Sequence, residues 1–233
     1  MMSFDMSRKM PPDRSGNQRY IICACKFSDE WIPLFFRRKS DVYPKMERFI
    51  KRINNRIAPY SIAKAYTDCD SVLTSKEMYS IMDRFGIELF FAPSNTQARN
   101  PAKNVMRRHQ KAMQATMFRC NGPSGVWSYA ASHVCFVHNH TKKPGTDKKP
   151  IEISQGFAST FPINGIFGNR CMAKQYINGK LEKKASPHIF FGFDPRCRAS
   201  IARMIRGKDT VSRDRYVHVI KHEITEMPCM DVP

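Results

Sequence analysis

Ile62-Ala-Lys-Ala-Tyr-Thr-Asp-Cys-Asp70 is the stretch that decides the architecture. Ile62 to Tyr66 reads as a short strand, and Thr67-Asp-Cys-Asp70 closes it with polar turn formers. Ser75 then caps a helix whose Met78, Ile81, Met82 and Phe85 recur at the spacing of one helical face, up to Gly86 in the position of a left-handed C′ residue. Ile87 to Ala92 is strand-like again. Strand, helix, strand in this order is the repeating unit of an α/β layer, in which helices cover a sheet.

Upstream, Tyr20-Ile-Ile-Cys-Ala-Cys-Lys-Phe27 and Trp31-Ile-Pro-Leu-Phe-Phe36 flank the polar turn Ser28-Asp29-Glu30 and read as a hairpin. From Ser40, the expected N-cap, Val42, Met46, Phe49, Ile50, Ile53 and Ile57 form an amphipathic stripe that Pro59 ends. Downstream, Pro93 to Asn100 is a polar loop, Pro101 suits a first helical turn, and helices are expected over Ala102 to Met117 and Trp127 to Val137. Thr141 to Pro150 has the Lys, Pro and Gly composition of a linker. Beyond it come short β-like runs, Ile163 to Phe167, Cys171 to Ile177, Ile189 to Phe193, Ile201 to Ile205 and Tyr216 to Ile220, the pattern of a small barrel. The division expected is therefore an α/β unit over residues 1–140, a basic linker over 141–160 and a β-barrel unit over 161–227.

The 39 Lys and Arg residues against 20 Asp and Glu give a formal charge of +19. Such an excess repels itself unless a polyanion neutralises it, and nucleic acid gains affinity with every counterion released from a contacted phosphate. The basic residues are spread along the chain rather than gathered on one amphipathic helix, which argues against a membrane surface. No apolar run approaches the roughly 20 residues that span a bilayer. Eight cysteines at irregular spacing read as free thiols in a reducing compartment, with Cys23 and Cys25 on a shared strand face.

Phosphoryl transfer on DNA commonly uses two divalent ions held by carboxylates from separate elements. Asp68 stands at the end of a strand, where an α/β sheet exposes a functional side chain, although a lone aspartate there is most often a turn former. His138-Asn139-His140 invites a nuclease reading, but the string is short, sits at a helix end and lacks accompanying acids. His133 and Cys135 lack a second ligand pair at zinc spacing.

Several segments in order resemble the integrase region of copia-type retrotransposon polyproteins. Asp5 resembles the first aspartate of the retroviral-type integrase core, and Tyr66-Thr-Asp68 resembles the second. Lys39-Ser-Asp-Val42 and Arg48-Phe49-Ile50 resemble the segment between them, and Gly86-Ile87, Thr96, Gln97 and Asn100 resemble the motif that leads to the third catalytic residue. Val126-Trp-Ser-Tyr-Ala-Ala131 with Val137-His-Asn139 resembles the family's tryptophan–alanine helix ending in asparagine. Phe167-Gly168, Lys180-Leu-Glu-Lys-Lys-Ala-Ser186, Ile189-Phe-Phe-Gly-Phe193 and Val211-Ser-Arg-Asp214 resemble the small barrel after the core.

The resemblance implies a ribonuclease-H-like mixed sheet with flanking helices, followed by an SH3-like β-barrel. It implies polynucleotidyl transfer by Asp5 and Asp68 on Mg²⁺ or Mn²⁺, with DNA as partner, a homo-oligomeric assembly, no membrane, and the nucleus as location, or the cytoplasm while part of a polyprotein. The position 36 residues after Asp68, where the family carries glutamate, is Asn104, expected to face the two aspartates. Pro101 and Asp70 stand where glycine is usual. The expectation is a nucleic-acid-binding protein of the DNA integration pathway, impaired in catalysis, with Lys103, Arg107 and Arg108 contacting phosphate because their helix carries position 104. The alternatives are an active strand-transfer integrase, in which Glu88 or Glu77 replaces the missing acid, and a domesticated, non-enzymatic DNA-binding protein. No zinc-binding N-terminal module is read here, so the sequence is expected to be a fragment or remnant.

Overall fold

Five strands form the first sheet in the order β3-β2-β1-β4-β5, in the computed structural model of the chain. The structure describes residues 1–68, 70–91, 101–159, 165–174, 185–194, 199–204, 215–217 and 219–222. Strands β2 (Arg19–Cys25) and β3 (Trp31–Phe36) are the hairpin expected from the sequence, paired antiparallel from Arg19↔Phe36 to Ala24↔Trp31. Strand β1 (Met2–Met6) lies at the centre, antiparallel to β2 and parallel to β4 (Lys64–Thr67). Strand β5 (Glu88–Phe91) extends the parallel edge.

Alternation along the strands sorts their side chains onto two faces. Phe4, Ile21 and Cys23 pack with Met46, Phe49, Ile50 and Ile53 of α1 (Val42–Ile57) and with Met78, Ile81 and Met82 of α2 (Lys76–Arg84). Tyr20, Ile22 and Ala24 pack on the other face against Val105 and Met106 of α3 (Pro101–Arg119) and Trp127, Ala130 and Ala131 of α4 (Trp127–His140). The first unit is therefore a mixed sheet covered by helices on both faces.

The helix ends follow local chemistry with one change. Ser75 Oγ accepts from the Met78 N–H at 3.2 Å, as its capping position predicts, and Gly86 takes φ +63°. At α1 the expected cap Ser40 falls inside a 3₁₀ turn, Lys39–Asp41. Asp41 closes that turn instead, its carboxylate accepting from the N–H groups of Arg37 (3.2 Å) and Arg38 (3.0 Å), which hold its pKa below the ordinary value.

His109 joins three elements from a fully buried position. Its Nε2 lies 3.0 Å from the Ala131 carbonyl, which only accepts, so Nε2 carries the proton and Nδ1 accepts from Tyr20 Oη at 3.0 Å. Asn139 performs a comparable task at the far end of α4. Its Oδ1 accepts from the Trp31 N–H and its Nδ2 donates to the Trp31 carbonyl, both at 2.8 Å, so one carboxamide satisfies the backbone of the outer strand.

The segment read as a linker contains α5 (Pro150–Gln155), whose Ser154 Oγ donates to the buried Glu30 carboxylate at 2.6 Å. Arg56 Nη1 donates to Glu30 as well, at 2.9 Å, so α5 is tied to α1 and the β2–β3 turn. A second five-stranded sheet follows, antiparallel throughout, in the order β10-β6-β7-β8-β9. Its strands are β6 (Arg170–Lys174), β7 (Ala185–Asp194), β8 (Ala199–Met204), β9 (Arg215–Val217) and β10 (Val219–His222). Four of the expected runs match strands, with the last divided between β9 and β10. Ile163 to Phe167 lies partly outside the described residues, and its described part is not strand. Rings of the second unit meet α4: Tyr129 lies 5.7 Å from Phe191, and Phe136 lies 4.5 Å from Phe193. Helix α4 is thereby covered on both sides, which explains apolar residues around most of its circumference.

Candidate functional site

Asp5 reaches its position through alternation and register. Met2 and Phe4 of β1 point to the α1–α2 face, so Ser3 and Asp5 point toward α3 and α4. Strand β1 is matched to β4 as Met2↔Ala65 and Ser3↔Tyr66, and the same offset carried past the end of β4 sets Asp5 beside Asp68. Neighbouring strands lie about 4.8 Å apart, so the two carboxylates share one end of the sheet. Asp5 is buried, at 7 % exposure, whereas the Asp68 side chain retains 22 %.

Two further groups complete the cluster. Lys103, in the first turn of α3, places Nζ 3.8 Å from Asp68 Oδ2. Asp70 donates its N–H to Asp68 Oδ1 at 3.3 Å, and its own Oδ1 accepts from the Val72 N–H at 2.9 Å and lies 3.9 Å from Lys39 Nζ. Burial is the largest influence on Asp5 and raises its pKa to about 7; the Asp68 charge raises it further, Lys103 and the Met6 N–H oppose, and Asp70 adds a smaller upward push. Burial thus favours the protonated form of Asp5, beside the Asp68 carboxylate and the Lys103 ammonium.

Asn104 follows Lys103 in the same turn and is exposed. It lies on the side of α3 away from the buried stripe of Ala102, Val105, Met106 and His109. Lys103 and Arg107 lie one above the other on one flank of the helix, and Asn104 and Arg108 on the other. Both arginines are exposed, and the Arg108 guanidinium sits 5.1 Å over the Trp31 ring. The alternative acids lie elsewhere: Glu77 is exposed at the start of α2, and Glu88 pairs with Lys64 at the opposite end of β4 from Asp68.

A pair of divalent ions needs several converging negative charges to offset its own repulsion. Here burial holds Asp5 toward its protonated form, Asp68 faces an ammonium, and among the described residues no group of three or more His, Cys, Asp or Glu side chains is placed to hold a metal ion. The donor set does not fit a two-ion centre. Cys69, Thr96, Gln97 and Asn100 lie outside the described residues.

The His138-Asn139-His140 string is taken up by packing. His138 stacks on Trp31 with centroids 3.6 Å apart, His140 stacks on Phe136 at 4.0 Å, and Asn139 holds the Trp31 backbone. His133 is buried between Phe167 and Phe190, where desolvation lowers its pKa to about 4. The described cysteines, Cys23, Cys25, Cys120, Cys135 and Cys171, are unpaired. No helix among the described residues is long and apolar enough to cross a membrane.

The sequence named Asp5 and Asp68, which the fold brings together, but did not indicate the Lys103–Asp68 contact. The only sequence-level signal for it was a lysine at the start of the helix that follows the second aspartate. No protein-family model and no curated protein matches this sequence.

Proposed function

We propose that this chain is an integrase-like nucleic-acid-binding protein of a DNA integration pathway, of the copia-type kind, in which strand transfer is lost or severely reduced. The observation that carries the reading is the placement of Asp5 and Asp68 at one end of the sheet with the first turn of α3 beside them. In this reading the first sheet and its helices are a ribonuclease-H-like core, and the antiparallel sheet is an SH3-like barrel. Its partner is DNA, drawn by the +19 charge to a basic surface that includes Arg107 and Arg108; it acts as a homo-oligomer in the nucleus. Lys103 neutralises Asp68 rather than waiting free for phosphate, so it serves the acidic cluster first.

Mg²⁺ or Mn²⁺ enters as the cofactor of residual activity only, with Asp5 and Asp68 as its ligands. Loss of catalysis follows from charge: the amide of Asn104 brings no negative charge, and Lys103 adds a positive one. One observation favours the alternative of an active enzyme, namely that Asp70 acts electrostatically on Asp5 and so stands close to the dyad. A strand-transfer assay on duplex ends with Mg²⁺ or Mn²⁺ separates the two. The expected result is no product from the natural chain and, with Asn104→Glu combined with Lys103→Ala, recovery only as far as the longer Glu side chain reaches the pair from the exposed flank of α3. Robust product from the natural chain, abolished by Asp68→Asn or Asp70→Asn, overturns the reading of lost catalysis.

A further inference from the structure

Phe118 leaves 91 % of its surface in solvent, on a helix, α3, whose other large apolar residues are buried or partly buried. Its backbone is nonetheless fixed. The Phe118 carbonyl accepts from the Asn121 N–H at 3.1 Å, the Met117 carbonyl accepts from the Gly122 N–H at 3.0 Å, and Cys120 is buried just beyond. The ring therefore projects from a closed helix end rather than a frayed one. A single exposed apolar residue needs no partner by itself, so its surroundings on α3 decide what it meets.

Phe118 lies seven residues after Lys111 and eleven after Arg107, about two and three turns, so the three share one outward crest. The buried stripe of Val105, Met106, His109 and Met113 faces the other way. Arg119 follows the ring and is exposed as well. Residues 101–119 include no aspartate or glutamate, and Arg107, Lys111 and Arg119 make no ion pair among the described residues. Arg108, on the same helix, is already engaged over the Trp31 ring.

An accessible ring among three unpaired cations selects a partner that is flat and uncharged at one point and anionic around it. A second copy of this chain brings like charges to the crest. An apolar protein surface desolvates the cations without answering them. In a duplex each base face is covered by its neighbours, and opening a step to admit a ring costs free energy. An unpaired nucleotide offers a free base face with its phosphates beside it. We propose that α3 is a track for single-stranded nucleic acid, with Arg107, Lys111 and Arg119 on the phosphates and the Phe118 ring stacked on one unpaired base. From Lys103 to Phe118 the helix runs about 22 Å, the length of about six stacked nucleotides. The inference deepens the nucleic-acid-binding part of the function proposed above and rests on it, not on the chemistry of the acidic pair.

Fluorescence anisotropy of the full chain tests it, with a labelled single-stranded DNA of about ten nucleotides and a blunt duplex of equal length as probes. Phe118 is exposed, so its substitution leaves folding intact. Phe118→Ala is expected to weaken single-strand binding about tenfold, the loss of one base–ring stack, and duplex binding by less than about twofold. Phe118→Leu, apolar but not flat, is expected to lose nearly as much, and Phe118→Trp to keep the natural affinity. Lys111→Ala with Arg119→Ala should weaken both probes and flatten their salt dependence. Unchanged single-strand affinity in Phe118→Ala or Phe118→Leu, or an equal loss on both probes, overturns the proposal, while duplex binding by the natural chain leaves the wider reading standing. A Phe118→Ala chain of lower oligomeric mass and unchanged strand affinity makes the ring a contact between copies, which overturns it as well. No binding of either probe overturns both readings.

Discussion

Lys103 holds its ammonium 3.8 Å from Asp68, and its charge opposes the burial and the Asp68 charge that raise the pKa of Asp5. An ammonium beside two carboxylates competes with any divalent ion for the same oxygens. Lys103→Ala is therefore expected to raise Mn²⁺ affinity by about threefold to tenfold, in line with removing one like charge from a partly solvated site. Paramagnetic relaxation of water by Mn²⁺, recorded for the natural chain and the variant, measures this. Equal affinities show that Lys103 does not guard the dyad.

Asp5 makes stability depend on pH in a direction unusual for a carboxylate. Its folded pKa, about 7, lies above the unfolded value, so its contribution is fully present below about pH 4 and is lost as pH rises through 7. Asp5→Asn, measured in chelator, is expected to leave the melting temperature unchanged near pH 4 and to raise it at pH 8, by up to about 4 kcal/mol of unfolding free energy. No gain at pH 8 means that the buried carboxyl is better compensated than its surroundings indicate.

The histidines pull the opposite way. Burial lowers the pKa of His109, His133, His138 and His140, and His133 reaches about 4. The unfolded chain then binds more protons between about pH 6.5 and 4, so their part of the stability falls as pH falls through that window. His133→Leu is expected to flatten the acid limb of a denaturation profile, with a gain of up to about 3 kcal/mol at pH 4 relative to the change at pH 8. An acid limb of unchanged slope argues that water reaches His133.

Asn139 carries a stability prediction that does not depend on charge. Asn139→Leu removes both 2.8 Å bonds and leaves the Trp31 N–H and carbonyl without partners in a buried place. A loss of about 2–4 kcal/mol is expected in chemical denaturation, because each orphaned group costs about 1–3 kcal/mol. A loss below about 1 kcal/mol indicates that the β3 edge finds other partners.

Duplex DNA is expected to bind with little sequence preference and with affinity that falls steeply as salt rises. Arg107→Ala should reduce the slope of log affinity against log salt by about 1, the change expected for one phosphate contact. A flat salt dependence of the natural chain counts against an interface dominated by phosphates.

Local pattern was enough for the elements. The alternation in Tyr20 to Phe36, the stripe from Val42 to Ile57, the cap at Ser75 and the left-handed Gly86 each depend on residues within a turn or a strand of one another, and each is legible from sequence alone. The same pattern placed Asp68 at a strand end, and the order of segments paired it with Asp5. Only the tertiary structure decided the rest. It put the short β1 at the centre of the sheet, so that Asp5 is buried and its pKa raised. It turned Lys103 toward Asp68 and Asn104 outward, although the two are adjacent and equally polar in sequence. It also spent His138, Asn139 and His140 on packing against Trp31 and Phe136. These outcomes arise from contacts between residues far apart in the chain, whose desolvation and pairing energies have no counterpart in periodicity or propensity.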